Sequence, residues 1–273
     1  MALLLLIPAN YLMAASKKKI EIVYVEWACA TASSNVAKAV IQEKLGYKCE
    51  LTPVSAAAMF QALATGDVDA MTTAWLPATH KDYYEKVSGR IVDLGPNLEG
   101  ARLGLVVPAY VTIDSVDQLN ENIKKFDGKI IGIDPGAGLM KMAENALSEY
   151  SLDKFKLMEG SGAMMTAVLG NAIKKNEWVV VTGWAPHWKF GRWDLKILDD
   201  PKVVFGGAET INTLVRKGLE KEAPDVYRFL DKFFWTTADI GQVMVWNQDG
   251  MDEYKSAVKW VNEHPDKVDA WLK

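Results

Sequence analysis

Three tryptophans stand where segments that read as strands come to an end. Trp27 closes the run VYVEW, and Trp75 and Trp184 each open a Trp-x-Pro triplet, Trp75-Leu76-Pro77 and Trp184-Ala185-Pro186. An indole face carries the negative end of a quadrupole and attracts cations, quaternary ammonium groups above all, because these have no N–H to donate. A second chemistry lies in Asp134–Met140 (DPGAGLM), a glycine-rich turn between a predicted strand and a predicted helix. Free N–H groups at a helix N-terminus hold small anions, although tight-turn geometry alone also explains Gly136 and Gly138. His80, in the segment WLPATH just past Trp75, adds a donor at the same strand end. Its alternative is an ordinary solvated or structural loop histidine. Together these groups suit a ligand with a bulky cation at one end and a carboxylate at the other, as in a small betaine.

Other residues are assigned more plainly. Trp188 is the next candidate to line a cleft, and the remaining six tryptophans are read as packing. His187 is expected to orient its loop and His264 to lie at the surface. Enzymatic motifs are missing from the sequence: there is no GxSxG, HExxH, P-loop or CxxC, and the turn at Gly136 fails the dinucleotide fingerprint because position 141 is Lys. An enzyme acting on a quaternary amine would need a metal, a flavin or a placed base, and no motif supplies one. Cys29 and Cys49 are expected at opposite ends of a parallel sheet, separated by a helix on the order of 20 Å long. That is too far for a disulfide, so two free thiols are predicted. Two distant Cys and three scattered His make no metal site, and no cofactor is expected.

The elements that position these residues come in a repeated unit. Ser55–His80 and Ser161–Trp188 each read as a helix rich in small residues, a polar turn, a strand and Trp-x-Pro, and each is preceded by a similar strand, KIEIV from Lys19 and KIIGI from Lys129. Strands are expected at 20–25, 48–54, 70–74, 103–108, 129–133, 155–158, 178–182 and 195–198, alternating with helices, and the tail from Pro224 reads as mostly helical. This is an α/β pattern, and two equivalent α/β units place their strand ends on either side of a cleft. The division expected is a first lobe of residues 17–108 plus 205–273 and a second of 109–204. Two hinge crossovers, near Pro108 and Pro201, would join them. Residues 1–16, MALLLLIPANYLMAAS, resemble the apolar core and cleavage region of a signal peptide without its basic start, and no lipoprotein Cys follows. The net charge of −4 and the lack of any basic block longer than Lys17–Lys19 argue against a nucleic-acid partner.

The motifs VEWACATASSN, TTAWLPATHKDYY, LGLVVPAY, GIDPGAGLM and TGWAPHW, with LDDPK and TLVRKG, resemble the substrate-binding proteins of bacterial ABC importers for glycine betaine and related compatible solutes. The resemblance runs over essentially the whole chain after residue 16. It implies a two-lobed periplasmic-binding-protein fold, type II-like, an exported protein, and an ABC permease with its ATPase subunit as partners in osmoprotectant uptake. Residue by residue, it implies an ammonium cage of Trp27, Trp75 and Trp184. The ligand's carboxylate would meet backbone N–H groups at Gly138 and Leu139 together with His80. Cys29 departs from the polar or acidic residue common near the first cage tryptophan. A choline or carnitine binder of the same class, and a ligand-sensing domain detached from transport, are the alternatives carried forward.

Overall fold

The computed structural model describes residues 19–273; the signal-like stretch 1–16 lies outside them. The described residues form nine strands and eleven α-helices, alternating in the first part of the chain and ending in five successive helices. The first strands, β1 (Ile20–Tyr24), β2 (Cys49–Pro53) and β3 (Ala70–Leu76), lie parallel, with β1 between the other two. Helices α1 (Ala28–Glu43) and α2 (Ala56–Thr65) make the crossovers. The same arrangement recurs in β5 (Lys129–Ile131), β6 (Lys156–Met158) and β7 (Val181–Ala185), joined by α4 (Gly138–Glu149) and α5 (Gly162–Lys175), with β5 between β6 and β7. These are the two repeated units of the sequence. Both Trp-x-Pro triplets carry a cis peptide before their proline, Leu76–Pro77 and Ala185–Pro186.

Two long antiparallel strands connect the units. β4 (Ile91–Pro108) pairs with β9 (Glu209–Arg216) through its first part, up to Ala101. From Arg102 onward it pairs with β7, and its end also pairs with β8 (Leu195–Ile197). The strand order β2-β1-β3-β9-β4-β7-β5-β6 follows. The partner change falls inside a single strand, between Ala101 and Arg102.

Here the structure departs from the sequence reading. The expected strand 103–108 is only the last third of β4. The preceding residues contain Gly95, Pro96 and Gly100 and read as loop, because Gly and Pro interrupt strand patterns. The structure places register shifts between Asp93 and Pro96, Pro96 and Leu98, and Glu99 and Ala101, with Gly95 and Gly100 at positive φ. These are bulges that bend a continuous strand, where glycine tolerates the conformation. β9, unassigned in the sequence reading, mixes polar and apolar residues with no period of two, yet is buried along nearly its whole length. β7 starts three residues later than expected and runs to Ala185, so Trp184 lies within the strand rather than beyond it.

The remaining helices are α3 (Lys81–Val87), α6 (Lys189–Arg192), α7 (Leu219–Glu222), α8 (Pro224–Lys232), α9 (Thr237–Gln248), α10 (Glu253–Glu263) and α11 (Pro265–Leu272). α1 buries almost its whole length because its first turns are Ala, Cys, Thr and Ser, which let α9, α10 and the sheet approach closely. The tail helices thereby pack against the first unit. Trp260 stacks on Trp271 at 5.6 Å and meets Trp235 edge-on at 5.8 Å, a pile of large buried rings that anchors α10 and α11. His264 is half-buried rather than a plain surface residue. Its ring stacks on Trp260 at 4.2 Å, and its Nδ1 lies 2.8 Å from the Trp260 carbonyl oxygen.

Candidate functional site

Trp27, Trp75 and Trp184 converge on one cavity, which His80, Gly138 and Leu139 also line. Cys29, Thr79, Leu103, Ile133 and Ala137 complete the wall of a narrow cavity of about 20 Å³. All six residues singled out from the sequence are therefore brought together. Trp27 lies just past β1 at the N-cap of α1, Trp75 lies near the end of β3, and Trp184 near the end of β7. Off the carboxyl ends of parallel strands is where α/β sheets form their ligand crevices. The three indoles are 7%, 3% and 4% exposed, so a cation among them would be largely desolvated, the condition in which cation–π contacts are strongest. Trp188 does not line this cavity. It lines a larger neighbouring one, which shares Trp184 and runs past Glu26, Arg192 and Glu253.

His80 is the most informative polar group. Its Nδ1 accepts a hydrogen bond from the Trp75 backbone N–H at 3.0 Å, so the ring proton must reside on Nε2. That Nε2–H is buried and has no partner among the described residues. Burial pushes the His80 pKa down to about 3, so the ring is neutral at physiological pH. The result is a neutral donor of fixed tautomer on the wall of the cavity. The turn that carries it is held from below by Glu209 of β9. The buried Glu209 carboxylate accepts from the backbone N–H groups of Ala78 and Thr79, both at 2.7 Å, and from the Thr79 hydroxyl at 2.6 Å. The ring itself lies along Trp27, with centroids 5.7 Å apart and planes 22° from parallel.

The start of α4 lines the same cavity. Gly138 and Leu139 are its first two helical residues, so their N–H groups precede any intrahelical acceptor and are free for an anion. Gly138 is tight against the turn bearing His80: a Cβ there would fall 2.1 Å from the Thr79 carbonyl oxygen. Only glycine lets the helix N-terminus approach so closely. Sequence reasoning noticed the glycine but not this contact, because the partner is distant in the chain.

Further ties join the units around the cavity. Trp27 Nε1–H donates to Asp134 at 2.9 Å, Tyr83 OH donates to the Gly136 carbonyl at 2.9 Å, and Lys141 pairs with Asp82. Asp134 and Glu209 are thus positioning residues that the sequence reading missed. Asp134 lay inside a motif that had been singled out for its glycines alone; nothing local marked Glu209. The cysteines are buried free thiols, and burial pushes Cys29 up to about 11 and Cys49 up to about 12, so neither is a reactive thiolate. No cluster of three or more metal-ligating side chains occurs among the described residues.

A profile of the substrate-binding domain of ABC-type glycine betaine transport systems matches residues 18–263. The chain belongs to this family. Its structure is similar to that of lactococcal OpuAC in its closed, liganded conformation complexed with glycine betaine, at a TM-score of 0.90 and 43% identity, covering 94% of this chain and all of that one. It is also similar to an ABC-transporter choline-binding protein in complex with choline, at a TM-score of 0.85 and 26% identity over 93% of this chain and 91% of the other. The glycine betaine/carnitine transport binding protein GbuC of Listeria monocytogenes is 49% identical over 144 residues, 52% of this chain and 48% of its own length. The match thus spans about half of that curated relative. The mixed α/β architecture of this family member is that of the periplasmic binding proteins. Among the described residues, no helix is long and apolar enough to cross a membrane.

Proposed function

We propose that this protein captures glycine betaine or a related betaine between two lobes outside the cytoplasm and delivers it, chemically unchanged, to an ABC permease and its ATPase. The ligand's ammonium sits among Trp27, Trp75 and Trp184. Its carboxylate accepts from the Gly138 and Leu139 N–H groups and from His80 Nε2–H. The observation that carries this reading is the buried, unpartnered Nε2–H of His80 on the wall of the three-indole cavity, which the N-terminus of α4 also lines. A buried donor without a partner costs about 1–3 kcal/mol, which a bound carboxylate recovers.

The crossover through β4 is taken at its partner change rather than at Pro108, so the lobes are residues 19–101 plus 205–273 and 102–204. Because the ligand touches both lobes, only the closed form makes every contact, and binding shifts the population toward it. The likeness to a closed, liganded relative supports this view.

A choline binder is the second reading, favoured by the similarity to a choline-binding protein. Choline has no carboxylate, so it would leave His80 and the start of α4 without an acceptor. Competition binding separates the two: glycine betaine displacing a bound probe at much lower concentration than choline supports the betaine reading, and the reverse order overturns it.

A further inference from the structure

Lys189 takes no part in the site described so far. It opens α6, its side chain is 0% exposed, and its Nζ has no hydrogen-bond or ion-pair partner among the described residues. That Nζ lies 4.5 Å from the ring centroid of Trp184 and 5.2 Å from that of Phe190. Lys189 is not part of the cavity wall, so its amine meets Trp184 from outside the cavity. The titratable groups that act on it are Cys29 of α1 and His187 of the turn after β7. Neither supplies a counter-charge. Cys29 is held protonated by burial, and His187 is held neutral by burial, its Nδ1 accepting from the Lys189 backbone N–H at 3.1 Å.

We infer that Lys189 sets the affinity of the ammonium cage through Trp184, so that ligand uptake is coupled to loss of its proton. As an ammonium, Lys189 engages the indole from outside the cavity and opposes a second cation on the ligand side. As an amine, it leaves Trp184 to the ligand alone. Two cations on opposite faces of one ring are about 8 Å apart; at an effective dielectric of about 20 their repulsion weakens binding about thirtyfold. Burial independently brings Lys189 down from the ordinary lysine range to about 7, so the switch falls within the physiological range. His80, at about 3, and Cys29, at about 11, titrate outside it.

The inference rests on the betaine reading, and its test separates the two. Calorimetric titrations with glycine betaine and with tetramethylammonium chloride are run on the whole chain from pH 5 to 9, each in two buffers of different ionisation enthalpy. A second series uses Lys189→Met, which keeps the bulk and removes the charge. The wild-type protein should bind about thirtyfold more weakly at pH 5 than at pH 9, releasing a fraction of a proton per ligand below pH 7. Lys189→Met should bind both ligands at the wild-type pH 9 level throughout. A flat wild-type profile, or the same profile in Lys189→Met, overturns the inference and leaves the betaine reading standing. Should Lys189→Met fail to fold, wild-type proton release decides: none at pH 6 to 7 with either ligand overturns the inference. No binding of either ligand at any pH overturns both.

Discussion

At the scale of single residues, the account rests on two kinds of contact that can be removed separately. Trp184→Ala takes away one desolvated cation–π face, worth about 2 kcal/mol or more. Calorimetry should show glycine betaine affinity falling tenfold to a hundredfold, with choline affected equally. His80→Ala takes away one hydrogen bond to a charged group, about 1.5–3 kcal/mol. It should weaken glycine betaine by a similar factor and leave choline nearly unchanged; an equal loss for both ligands would show that His80 only shapes the cage. The same histidine makes an acid prediction. Its folded pKa is lowered to about 3 from an ordinary 6.5, so the unfolded chain binds more protons between those values. The stability it contributes is complete above about pH 6.5 and is lost as pH falls toward 3, with a slope approaching 1.4 kcal/mol per pH unit. Denaturant titrations between pH 7 and pH 4 should show this slope, and His80→Gln should reduce it. What the sequence made legible at this scale was residue type at strand ends. It could not reveal which nitrogen of His80 is protonated, because that depends on the backbone N–H of Trp75 turning back on the ring.

Elements explain why those residues meet. The N-terminus of α4 touches the turn after β3 only because position 138 has no side chain. Gly138→Ala should therefore move helix and turn apart and reduce glycine betaine affinity at least tenfold, while thermal denaturation shifts by only a few degrees. Retained affinity would place the carboxylate elsewhere. Glu209→Gln weakens the three bonds that hold the Ala78–Thr79 turn, and a buried charge-assisted network of this kind should cost about 1–3 kcal/mol in denaturant stability. The repeated unit was readable because helix, turn, strand and Trp-x-Pro recur in order, and those local patterns survive in α2–β3 and α5–β7. β4 and β9 were not readable for opposite reasons. β4 is broken up by glycines and a proline that turn out to sit at bulges, and β9 carries polar residues that long-range partners satisfy, such as Asn212 with Asp93 and Thr213 with Asn97. Periodicity reports one buried face, whereas a central strand is buried on both.

On the scale of the whole molecule, the proposed cycle depends on closure around the ligand. Contacts between the repeated units supply part of its free energy, among them the bond from the Trp27 indole to Asp134. Asp134→Ala frees that indole and should weaken glycine betaine about tenfold, while small-angle scattering at saturating ligand still reports the compact form. An unchanged affinity would remove Asp134 from the closing contacts. The central claim is that one cavity holds an ammonium and a carboxylate together. Its most direct test is a tryptophan-fluorescence titration of the chain with glycine betaine, paired with choline as control. Glycine betaine should give a saturable change at concentrations at which choline produces little. Saturation by choline alone would contradict it, leaving the His80 donor and the start of α4 without a role in binding.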